Sequence, residues 1–145
     1  LPYSGLRKNM KYFTQQWFDL LQESGVEEDP RVDEPPREYL EKLKTQNIPA
    51  RILDRLDFHD SEVLKIEGDS EALILELEER EWGYCHIRFE KPEILKMDDG
   101  ILGSEWLYEE VYREGCGYEM HVLFYSRKAL GLKELTLRCR DIVIE

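Results

Sequence analysis

Two hydrophobic periods divide this chain. Between residues 12 and 56, apolar side chains recur at helical spacing; from residue 61 onward they alternate, as in strands with one buried face. In the first part, Tyr12, Phe13, Gln16, Trp17, Leu20 and Leu21 predict a helix over 12–24 that Gly25 stops. Its Phe13–Trp17–Leu20 stripe reads as a face pressed onto a sheet, which explains Trp17 more simply than ligand stacking does. Residues 26–36, rich in proline and acid, predict a solvated connection. Pro35-Pro36 then opens a second helix to about Thr45, with Tyr39, Leu40 and Leu43 on one side. Pro49 permits a third over 50–56, burying Ile52, Leu53 and Leu56.

The alternating part predicts strands at 61–67, 72–79, 83–91, 104–113, 118–125 and 133–144. Gly68-Asp69-Ser70 joins the first two as a hairpin, and Gly115-Cys116-Gly117 makes another tight turn. Lys96-Met97-Asp98-Asp99-Gly100 reads as a loop. The last strand changes parity near Asp141, so a bulge or strand end belongs there. The predicted fold is α+β: N-terminal helices on a bent, mainly antiparallel six-stranded meander or partly open barrel. Its core should include Trp17, Leu75, Leu77, Ile87, Phe89, Val122 and Leu137.

At 145 residues the chain suits one domain with an adequate core. Met10 reads as its start, with residues 1–9 an extension or expression remnant, a helical front over 10–57 and a strand half over 58–145. Charge sharpens this picture. Residues 1–60 carry 9 bases and 12 acids, residues 61–119 carry 6 and 17, and residues 120–145 carry 5 and 3. Such a negative middle opposes nucleic acid and anionic membrane and favours a basic partner, although it also serves plain solubility. The three cysteines, with no CxxC spacing, point to a reducing cytoplasm. No apolar run approaches the length of roughly 18 residues that spans a membrane, and no signal peptide is visible.

Few constellations carry chemistry. His59-Asp60 with Glu62 nearby has the composition of an oriented general base or half a metal site. Neighbours in extended chain point apart, however, and Asp60-Ser61 is a common turn. His86, His121 and the cysteines lack the short spacing of zinc ligands, and Asp98-Asp99-Gly100 lacks the ladder of a calcium loop. No nucleophile elbow or phosphate-binding glycine motif occurs, so neither cofactor nor metal is expected. Carboxylates over 76–81 and 105–114 fit solvated strand faces better than a glycosidase pair.

Met10-Lys11-Tyr12-Phe13-Thr14 with Trp17 matches an opening M-K-Y-F-T-x-x-W. Leu56-Asp57-Phe58-His59-Asp60 matches an L-x-x-H-D loop before a first hairpin. Trp106-Leu107-Tyr108, Gly117-Tyr118-Glu119-Met120-His121 and Leu135-Thr136-Leu137-Arg138-Cys139 continue the pattern. With these motifs the chain resembles a family of small bacterial proteins of unknown function. The resemblance implies a start at Met10, a bacterial cytoplasmic setting and a single α+β domain. It carries no catalytic residues.

The expected function is a non-catalytic interaction module, an acidic surface that binds a basic protein as immunity proteins do. Trp82, Tyr84 and Tyr108 would anchor the partner, with Glu109 and Glu110 beside them, and the acids of 62–119 would gather on that face. The alternatives are a small hydrolase-like or metal-dependent enzyme using the His59-Asp60 loop, and a ligand-binding barrel capped by the first helix.

Overall fold

The structure, a computed structural model, describes residues 9–25, 28–79 and 83–145. Three helices among them precede eight strands: α1 (Gln15–Glu23), α2 (Pro30–Lys44), α3 (Ala50–Leu53), β1 (Glu62–Gly68), β2 (Ala72–Glu79), β3 (Gly83–Glu90), β4 (Glu93–Met97), β5 (Glu105–Glu114), β6 (Gly117–Ser126), β7 (Gly131–Cys139) and β8 (Asp141–Ile144). The fold is α+β. All strand pairs are antiparallel, in one open sheet of order β4-β7-β6-β5-β1-β2-β3-β8.

Local chemistry sets the elements. The Thr14 hydroxyl accepts from the Trp17 N–H at 3.0 Å and starts α1. The Asp29 carboxylate accepts from the Arg31 N–H at 2.9 Å and starts α2, whose first residue is Pro30. In the β1–β2 turn, Asp69 Oδ1 accepts from the Glu71 and Ala72 amides, an Asx turn.

The sheet folds round one core. Strands β1–β3 form one meander and β5–β7 another, and both turn their apolar alternates inward. Leu75, Leu77, Ile87 and Phe89 from one half meet Met120, Val122, Leu135 and Leu137 from the other. The Trp106 indole packs edge-on against Phe58 and Phe124 at the seam between the halves. Beyond Cys139 the ladder breaks at Arg140, whose N–H donates to Glu90 O, and β8 leaves to pair with β3. Gly117 permits this crossing: a Cβ there would lie 2.0 Å from Cys139 O. A second apolar cluster covers the outer face of β5–β7, where Met10, Tyr12, Phe13, Trp17 and Tyr39 bury Leu107 and Leu123.

Every expected core residue is buried, and Leu73, Leu75 and Leu77 share the inner face. Four expectations are corrected. There are eight strands rather than six, because Lys96 and Met97 belong to β4 and the parity change near Asp141 separates β7 from β8. The sheet is a pair of meanders, since β4 returns to β7 and β8 to β3. It does not close, so a ligand-binding barrel has no closed lumen here. Finally, α2 begins at Pro30, inside the expected connection, and carries Pro35 and Pro36 internally; α1 and α3 are shorter than the sequence pattern suggests.

The internal prolines have a structural answer. Pro36 has no N–H to give the carbonyl four residues back, that of Val32. The Trp17 indole N–H donates to this carbonyl at 2.9 Å, so the gap left in α2 becomes the link between α1 and α2.

Candidate functional site

The seam between β1 and β5 is short. Gly103 N–H donates to Val63 O, Val63 N–H to Ser104 O, Trp106 N–H to Ser61 O, and Asp60 N–H to Trp106 O; the strands then separate. The His59-Asp60 loop makes this ending. Ser61 N–H closes a turn on Phe58 O, and Asp60 takes a left-handed conformation (φ 68°), which Asp tolerates. The backbone of β5 bulges at Leu107, and His59 Nδ1–H donates to the bulged carbonyl at 2.6 Å. Since a carbonyl only accepts, that bond fixes the imidazole tautomer. Asp60 Oδ1 stands 3.6 Å from His59 Nε2, and the ring stacks obliquely on Tyr108 at 5.1 Å. His59 therefore terminates a ladder.

Past the bulge, the free edge of β5 turns to α2. Val111 N–H donates to Tyr39 Oη and Arg113 N–H to Gln46 Oε1, so side chains from α2 and the segment just after it replace the missing strand. Burial raises the Tyr39 phenol well above its ordinary range. Glu109 stands where loop, helix and bulge meet. Its Oε1 accepts from Trp106 Nε1–H at 3.0 Å. Burial pushes its carboxyl up to about 7, opposed by the Trp106 bond and its own amide, while Asp57 raises it further and His59 lowers it.

A groove of about 780 Å³ runs between α1, α2 and this part of β5. Phe13, Trp17, Tyr39 and Tyr108 form its floor. Phe13 stacks on Tyr108 at 5.2 Å, and Trp17 meets Tyr108 edge-on at 5.0 Å. Burial, then the Asp60 charge, raises the Tyr108 phenol. Leu40, 58% exposed on α2, makes an apolar rim; the charged lining is Glu28, Asp33 and Glu109 against Arg37. Among the described residues the lining thus sets an apolar floor beside three acids and one base, which suits a segment that is apolar and cationic.

The remaining sequence candidates are dispersed. Glu110 is wholly buried, which corrects its place on a partner-binding surface. Its carboxylate accepts from the amides of Lys11 (2.9 Å), Tyr12 (2.7 Å) and Phe13 (2.8 Å) and from the Tyr112 hydroxyl (2.6 Å). It is an internal clasp that holds the segment before α1 on the sheet. Tyr84, 67% exposed, lies on β3, across β1 and β2 from Tyr108, so the two anchors do not share a patch. Beside it, Glu78, Glu62 and Glu105 face one another across β2, β1 and β5, and Arg127 pairs with Glu105 at 2.6 Å. Glu62 thus belongs to this outer row and is apart from the His59 contacts. Trp82 lies outside the described residues. The acids of 62–119 do not form one face: Lys65, His86 and Lys91 interleave with Glu67, Glu76 and Glu71.

One constellation has no counterpart among the sequence candidates. On the outer face of β5–β7, Tyr112, Glu119 and Arg138 form one rung, and Glu110, His121 and Thr136 the next. His121 Nε2 lies 2.7 Å from Glu119 Oε2, and Nδ1 lies 3.2 Å from Thr136 Oγ1. Arg138 Nε donates to Glu119 Oε1 at 3.1 Å. All six side chains are buried. Polar residues spaced two apart (110 and 112, 119 and 121, 136 and 138) are the readable signal. Imidazole, carboxylate and guanidinium are the groups of acid–base catalysis, yet here they are buried and bond one another, as in a structural network. Among the described residues no group of three His, Cys, Asp or Glu side chains is placed to hold a metal. No helix among them is long and apolar enough to cross a membrane.

The chain belongs to the family described as "Protein of unknown function (DUF4085)", whose model matches residues 5–131. No curated protein and no solved structure matches it.

Proposed function

We infer that this domain is a non-catalytic interaction module, and that the α1–α2–β5 groove receives an apolar segment of a basic protein partner. The observation that carries this reading is the composition of the groove: an aromatic floor, the exposed Leu40 on its rim, and acids in excess of bases around it. Apolar contact would supply affinity there, and the acids would exclude anionic competitors. The chain's net charge of −12 works in the same direction by speeding encounter with a cationic partner. The buried acid–base groups support it too, since His121, Glu110 and Glu119 are shut inside the fold and bonded to protein groups.

The probe is a synthetic amphipathic helix of Leu and Arg, titrated into isotopically labelled protein and followed by amide chemical shifts. Shift changes should concentrate on α1, α2 and residues 106–110. Leu40→Asp, on the exposed side of α2, should weaken binding at least about tenfold, as expected for charging an apolar contact. A companion peptide with Glu in place of Arg should not bind, and affinity should fall as salt shortens the Debye length to about 3 Å at 1 M. Shifts centred on Tyr84 and the Glu78–Glu62–Glu105 row, or equal binding of both peptides, would overturn the assignment.

A further inference from the structure

We propose that Glu109 is the counter-ion for a cationic side chain of the partner, and that seating this cation in the groove expels a proton from the protein. The inference rests on the groove being the binding site and assigns one charge within it.

Glu109 differs from the other acids of the groove. Glu28 and Asp33 are exposed on the α2 side, where water competes for any ion pair. Glu109 is half-buried at the gap between β5 and residues 57–60, and the bond from Trp106 Nε1–H engages only its Oε1. The groups facing it are Asp57 and His59 from the loop, Trp106 and Tyr108 from β5, and Tyr39 from α2; Glu28, Asp33 and Arg37 line the groove with it. A guanidinium or ammonium seated beside Oε2 would meet a carboxylate in a partly dry site, where an ion pair is stronger than at the surface.

Two consequences follow. The fold alone holds this carboxyl at about 7, half-protonated around neutrality. An incoming cation favours the ionised form, so binding and proton release are linked. Affinity for a cation should therefore rise with pH. If the bound form is fully ionised, the change from pH about 6 to about 8 is roughly tenfold, from the ratio of the ionised fractions. Other charged groups line the same groove, so the slope must be assigned by substitution.

The test uses the Leu/Arg helix with the full chain. Calorimetry near pH 6.5 in buffers of different ionisation enthalpy should show proton release from the wild-type protein. Affinity should increase about tenfold across the interval above. Glu109→Gln keeps an acceptor for Trp106 Nε1–H and should abolish both the buffer dependence and most of the pH slope. His59→Gln should leave the proton release in place. The carboxyl carbon shift of Glu109 in wild-type protein gives a check that no variant can confound: it should titrate near neutrality when free and well below when peptide is bound. Groove binding with no proton release and an unmoved Glu109 titration would overturn this inference while leaving the groove assignment intact. Failure of the peptide to enter the groove would overturn both.

Discussion

At the scale of single residues, Glu109 and Glu110 show how little side-chain identity says about role. They are adjacent carboxylates on one strand, yet Glu110 is surrounded by four donors, whereas Glu109 accepts from an indole and lies close to Asp57. The difference is strand alternation: Glu110 faces the N-terminal segment, and Glu109 faces the gap left where β1 and β5 part. For Glu109 the sign of the pH effect is clear. Its folded value, about 7, lies above the ordinary 4.5, so the folded state holds the proton more tightly than the unfolded chain. Its stabilising contribution is complete below the ordinary value and is lost as pH rises through about 7. Glu109→Gln should therefore be more stable than wild type at pH 8, by about 1–3 kcal/mol. The advantage should shrink toward zero near pH 4. Denaturant melts of both proteins at the two pH values measure the difference, and a constant offset would mean that Glu109 titrates normally.

At the scale of elements, the strands are the legible part because alternation is a direct record of burial. Leu73, Leu75 and Leu77, or Cys85, Ile87 and Phe89, can only be one face. The short β4 is hidden from the sequence because Ile94, Lys96 and Met97 pair with β7 across a bulge at Leu95, which spoils the alternation. The start of α2 is hidden for a different reason. A double proline ordinarily opens a helix, and nothing local announces that a tryptophan fifteen residues upstream will satisfy the carbonyl that Pro36 leaves free. The groove is illegible for the same cause, being made by packing α1 and α2 on β5. Of the expected partner contacts among the described residues, only Tyr108 and Glu109 line it. The α1–α2 link can be tested by a double-mutant cycle. Trp17→Phe keeps most of the ring but strands the buried Val32 carbonyl, at a cost of about 1–3 kcal/mol. Pro36→Ala supplies an amide for that carbonyl, so the same Trp17→Phe change should cost less when combined with Pro36→Ala. Equal costs in both backgrounds would show that the indole bond and the proline are energetically unrelated.

At the scale of the whole molecule, the two meanders are joined by a seam of few hydrogen bonds, and backbone pairing alone would let them unfold separately. Their side chains argue otherwise. Leu75 of β2 and Leu137 of β7 belong to one continuous buried cluster, and each is completely shielded from water. β8 ties the halves again, continuing β7 in the chain while pairing with β3. Most apolar burial is therefore shared between the halves, so opening either one exposes the inner face of the other. Unfolding should be a single cooperative transition, with fluorescence of the seam residue Trp106 and far-ultraviolet circular dichroism changing together. Leu75→Ala and Leu137→Ala, in opposite halves, should each lower the stability of that one transition by about 2–5 kcal/mol. Its denaturant slope should stay unchanged, because the surface exposed on unfolding is the same in both variants. If Leu137→Ala instead splits the transition in two and leaves the β1–β3 signal at its original midpoint, the halves are independent units and the shared core does not couple them.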